Sequence, residues 1–208
     1  MTRIALALCL VCWGIEASPA HAAGETLSLP APNGALLDAR VASRGVGLPI
    51  LALSALLPAR AGDRSPTPPP TPLIALRLAP DTQTIAAELG VQLRPWNAGM
   101  WGVRVVVASG PLLALLDGPG LGARASSLVV GEIRVHDLCM SAGSRIDAGF
   151  VIDREVSTRL ATVLVFGLGY VPPGGIGVSG TLQGGLAWGA ALPPSVVGEA
   201  SVGLSWPL

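Results

Sequence analysis

Short alternating segments punctuated by glycine and proline dominate this chain, and they restrict it to a β architecture. "WGVRVVVASG" sets Trp101, Val103, Val105 and Val107 at a period of two, the spacing of one face of a strand. "TIAAELGVQLRPW" places Leu89, Val91 and Leu93 opposite Glu88, Gln92 and Arg94. "SLVVGEIRVHD" puts Val129, Ile133 and Val135 opposite Val130, Glu132, Arg134 and His136, with Gly131 suggesting a bulge or a close backbone approach. "ATVLVFGLGYV" is apolar on both faces, and Pro172-Pro173-Gly174-Gly175 turns the chain after it. The closing "VVGEASVGLSWPL" points Ala200, Val202, Leu204 and Trp206 one way and Glu199, Ser201, Gly203 and Ser205 the other. Together these give eight to ten strands, one per roughly 10–15 residues. The one stretch with a helical rhythm is "IDREVSTRLATVL", from Ile152 to Leu164, which fits two or three turns of helix.

The N-terminus reads differently. Arg3 precedes an apolar run from Ile4 to Ile15, and Pro19, Ala20 and Ala22 follow. This order is that of a secretory signal peptide over 1–22, with cleavage expected after Ala22. Residues 23–72 form an N-terminal segment ending in the proline-rich "ARAGDRSPTPPPTP", read as an extended linker or loop. Within it, "GVGLPILALSALLPA" is too short to cross a bilayer as a helix and supplies a buried strand or packed helix. Residues 73–208 form the main domain.

Half the residues are hydrophobic and only 12% are charged, enough apolar material for a core and against disorder. The 13 basic residues balance the 13 acidic ones, so no basic patch indicates nucleic acid. After residue 22 a single cysteine, Cys139, and a single histidine, His136, remain. One cysteine makes no internal disulfide, and Cys139 is read as a buried apolar residue. His136 sits beside Asp137 in "RVHDLC", too local to align a base with a nucleophile. There is no G-x-S-x-G elbow, no set of metal ligands and no glycine-rich loop opening a helix. No catalytic, cofactor-binding or metal-binding residue is therefore expected. Trp96 and Trp188 stand beside loop signals and are the candidates for exposed aromatic contacts. Trp101 and Trp206 stand in phase with valines and leucines and are expected in a core.

"GTLQGGLAWGAALPPSVVGEASVGLSWPL" resembles the end of bacterial fimbrial-type and spore-coat-U-like exported subunits, and "WGVRVVVASGPL" with "ASSLVVGEI" is similar to their inner strands. The aromatic at Trp206 stands third from the end rather than second, and no early cysteine pair is present. The resemblance implies an immunoglobulin-like antiparallel β-sandwich, whose core the terminal strand closes with Ala200, Val202, Leu204 and Trp206. It implies a non-catalytic structural or adhesive protein of the periplasm or cell surface, with other subunits or a periplasmic chaperone as partners. A membrane partner is not expected once the signal is removed. The alternatives are an outer-membrane β-barrel and a periplasmic ligand-binding protein. Against the barrel stand the 4% aromatic content and the few polar residues available for a lumen.

Overall fold

A computed structural model describes residues 36–43, 49–57, 70–80, 83–115, 119–152, 156–172, 175–189 and 192–207. The expected signal peptide and most of the proline-rich stretch lie outside these residues. The described chain is all-β and antiparallel. Its ten strands are β1 (Leu36–Ser43), β2 (Ile50–Leu56), β3 (Thr71–Ala79), β4 (Thr84–Ala98), β5 (Trp101–Ala114), β6 (Gly120–Val135), β7 (Leu138–Ile152), β8 (Val156–Tyr170), β9 (Gly177–Gly189) and β10 (Leu192–Pro207). Each strand pairs with its neighbours in the chain, and β1 pairs with β10, so the sheet closes into a barrel. The expected immunoglobulin-like sandwich is thereby corrected: two facing sheets would leave edges, and here the register from Leu36↔Pro207 to Ser43↔Ala200 joins first strand to last.

Closure fixes the stagger of the strands. Direct pairing leads from Trp101 through Ile133, Met140, Leu168, Gly180, Val202, Val41, Leu51, Leu78 and Ile85 back to β5 at Leu113. The return point is displaced by 113 − 101 = 12 residues along the same strand. A stagger of this size tilts the strands by about 40° from the axis. One end of the barrel, called here the near end, carries the starts of β1 and β5 and the finish of β10. The other is the far end.

Two turns at the near end show why the chain reverses where it does. Gly99 and Met100 join Ala98 to Trp101, and Gly99 has φ +60°, the left-handed region where glycine carries no side-chain penalty. His136 and Asp137 join Val135 to Leu138, and His136 takes φ +55°. The histidine read on one strand face with Glu132 and Arg134 is thus a turn residue.

Local expectations need other corrections. Where a helix is expected over Ile152–Leu164, the described residues, Ile152 and Val156–Leu164, are the end of β7 and the first half of β8, because β8 pairs on both sides with β7 and β9. Pro95 lies inside β4. The ladder shifts register between Leu93 and Trp96 and continues to Ala98, which absorbs the missing proline donor. Gly131 pairs regularly with Val103 and Ala142, without a bulge. The boundary drawn at residue 72 falls inside β3, since β1 and β2 already belong to the barrel wall.

Glycine is required where neighbouring backbones crowd the inner surface. At Gly185 of β9 a Cβ would run into the carbonyl oxygen of Thr162 and lie 2.7 Å from the Cα of Val163. At the adjacent Gly184 it would meet only the oxygen of Val197, at 3.7 Å. Gly185→Ala is expected to destabilise by about 1–3 kcal/mol through forced backbone movement. Gly184→Ala should stay within about 0.5 kcal/mol. The two denaturant midpoints, measured side by side, check this.

Candidate functional site

Strand alternation divides every side chain between an outer wall and a lumen, and the division runs opposite to that of a water-soluble core. Among the described residues thirty-seven large apolar side chains are exposed, including Leu51, Leu76, Val129, Ile146, Leu164, Leu182 and Val202. No Asp, Glu or Arg in any strand is exposed among the described residues. All thirteen of those ionisable side chains turn inward: eight arginines and five carboxylates.

The sequence places these charges by a simple local device. Asp38 and Arg40, Glu132 and Arg134, and Arg145 and Asp147 are opposite charges two residues apart with one apolar residue between. Two residues along a strand is the same face, so each pair enters the lumen together while Ala39, Ile133 or Ile146 faces out. This signal is visible in the sequence and marks polar lumen positions.

Near the near end the lumen holds one charged network. Arg40 Nε donates to Asp38 Oδ2 at 2.8 Å, and Arg40 Nη2 donates to Ser179 Oγ at 2.8 Å. Arg104 Nε lies 2.7 Å from Glu132 Oε1, and Arg134 Nη2 donates to Glu132 Oε2 at 2.6 Å. Arg94 lies within electrostatic range of Arg104, Arg134 and Glu132.

A second network occupies the far half and crosses from β4 to β10. Arg124 bridges Glu88 Oε1 at 3.2 Å and Asp147 Oδ1 at 2.8 Å. Arg145 Nη2 lies 2.5 Å from Asp147 Oδ2, while its Nη1 donates to Gln183 Oε1 at 2.9 Å. Gln183 Nε2 donates to Glu199 Oε1 at 2.7 Å. Five strands are tied by this chain of partners. Between the two networks lies an apolar layer of Leu56, Leu73, Val106, Ala108, Leu128, Val130, Val163 and Val165, with Val197 packed against it. The lumen is thus a filled core with two charged layers and one apolar layer.

The expected terminal-strand packing is inverted. Val202 is 62% exposed and Leu204 48%, on the outer wall, and Trp206 is half-buried beside them. Ala200 is half-buried on the same outer face, while Glu199, Ser201, Gly203 and Ser205 are buried in the lumen. Trp96 and Trp188 are both exposed as expected contacts require, but they lie at opposite ends of the barrel and form no common site. Trp101, expected in a core, is 51% exposed.

The aromatic residues nevertheless share a pattern. Trp96, Trp101, Tyr170 and Trp206 ring the near end of the outer wall, and Phe150 and Trp188 mark the far end. Phe166 stands two pleat repeats inside the near ring, four residues before Tyr170 on the same face of β8. Between the rings the wall is mainly Leu, Ile, Val, Ala and Gly. Tyr170 lies ten residues along β8 from Leu160, the direct partner of Trp188. At about 3.3 Å per residue and a tilt of about 40°, the rings stand about 25 Å apart along the axis.

No group of three or more His, Cys, Asp or Glu side chains suited to a metal occurs among the described residues. His136 is exposed in the β6–β7 turn, while Cys139 is buried in the lumen, so alternation separates the two groups that adjoin in the sequence. In comparisons with known proteins, no family model matches the chain and no curated protein matches it.

Proposed function

We propose that the chain spans a membrane as an outer-membrane-type β-barrel with a filled, non-conducting lumen. The observation that carries this reading is the inverted polarity: apolar side chains cover the outer wall, and the charged side chains of the strands are turned inward. In water such a wall would expose an apolar surface far beyond the few hundred Å² of ordinary soluble proteins. In lipid it is the required solvent face, and closure satisfies the backbone of every strand without leaving an edge. The aromatic rings about 25 Å apart match the height of the apolar band of such barrels, with amphipathic rings at both interfaces. The signal peptide expected over 1–22 supplies the export route. The exported, non-catalytic structural role is retained in this form, anchored in the membrane. A closed barrel offers no free edge for the donor-strand assembly of the fimbrial resemblance.

Refolding into phospholipid vesicles tests the reading. Tryptophan emission is expected to be quenched more strongly by lipids brominated near the headgroup than by lipids brominated at the chain ends, because the tryptophans sit at the interfaces. The vesicles are expected to retain a trapped dye. A protein that stays monomeric in detergent-free buffer, with emission unaffected by brominated lipid, would overturn it.

A further inference from the structure

The near-end network is unbalanced. Among the described strand residues it contains four guanidinium groups, Arg40, Arg94, Arg104 and Arg134, against two carboxylates, Asp38 and Glu132. Asp137 lies in the β6–β7 turn at the rim, not in the strands. Excess charge in a low-dielectric interior is costly unless something compensates it. Arg94 sharpens the imbalance: its Nε and Nη2 are buried and make no hydrogen bond.

Beside this network lies a small cavity bordered by Arg40, Arg104, Cys139, Ser141, Ser179 and Thr181. It has room for about one small ion or water. Guanidinium, hydroxyl and thiol groups border it, and no carboxylate does. Such a lining offers hydrogen-bond donors and positive charge to one guest. We propose that this cavity is a binding site for a small monovalent inorganic anion of the halide class, which offsets part of the excess positive charge of the near-end lumen. The inference goes beyond the bilayer reading and does not depend on it, because cavity and charges belong to the barrel in lipid or in detergent alike.

Bromide is the probe. Full-length protein purified in detergent should unfold at a temperature roughly 5 °C higher in bromide than in gluconate at equal ionic strength, by the linkage of binding to stability. Crystals grown in bromide should show an anomalous peak within reach of Arg40 and Arg104. Ser141→Val, which fills the cavity and removes a donor, should abolish both signals. Arg94→Gln, which removes one excess charge without entering the cavity, should weaken the bromide effect and stands as the second variant if Ser141→Val does not fold. Equal unfolding temperatures in bromide and gluconate, or no peak in the cavity, would overturn the proposal. A peak accompanied by the same temperature shift in Ser141→Val and Arg94→Gln would mean an adventitious ion only, which overturns it too. Failure of the brominated-lipid test would leave these outcomes unchanged, so the two readings fail separately.

Discussion

Replacing Leu164 with arginine is expected to destabilise the protein in lipid by about 2–4 kcal/mol, the cost of a cation at mid-depth on a barrel's lipid face. Leu164 is 59% exposed, near the middle of β8. Its direct partners across the strands are Ser144 and Gly184, both small. The longer arginine therefore meets no steric barrier, and the cost reports the surrounding medium. At an exposed site of a soluble protein the same change would stay within about 0.5 kcal/mol. Tyr170→Arg, placed at the near aromatic ring, should cost only about 0–1 kcal/mol. Denaturant unfolding in vesicles, followed by tryptophan emission, gives both values. A Leu164→Arg cost no larger than that of Tyr170→Arg would remove the lipid-facing assignment of the wall.

Removing Arg145 is expected to have the largest effect inside the barrel. Its side chain is fully buried between Asp147 and Gln183. Arg145→Ala leaves Asp147 with Arg124 alone and removes the link to the Gln183–Glu199 arm. Breaking a buried pair on one side costs about 3–5 kcal/mol, because the remaining charge stays buried. Replacing both partners, as Arg145→Met with Asp147→Leu, should recover part of that loss, since no orphaned carboxylate remains at the position. Denaturant midpoints of the single and double variants, compared at unchanged slope, check this. If Arg145→Ala cost less than about 1 kcal/mol, the lumen would be hydrated rather than a packed ionic core.

Much of the strand pattern was legible along the chain, and the inside-outside assignment was not. The period-two segments at Trp101–Val107, Thr84–Leu93 and Val196–Trp206 are strands, and Gly99 marks a turn. Taking Val202, Leu204 and Trp206 as core residues followed the habit of soluble proteins, whose apolar face turns inward. Alternation itself defines two faces and not which one is enclosed. The low aromatic content weighed against a barrel only as a percentage. By position, six of the seven aromatic residues beyond Trp13 lie in rings near strand ends, and the percentage hides this. The polar lumen residues were equally present in the sequence, as Asp38/Arg40, Glu132/Arg134 and Arg145/Asp147, but a count of polar residues does not show that they share the enclosed face. "IDREVSTRLATVL" misled for a different reason: its helical rhythm is local, and pairing with two neighbouring strands outweighs local propensity.

The sequence by itself determined strand content, the two-residue rhythm that sorts side chains onto two faces, and the opposite charges spaced to share a face. Each of these is a relation among residues a few positions apart. Only the tertiary structure decided that β1 meets β10, that the ladder returns twelve residues out of step, and that Arg124 reaches Glu88 and Asp147 from different strands. Those are relations between segments far apart in the chain. Closing the sheet commits one face of every strand at once, so it is closure that makes the charged face the interior.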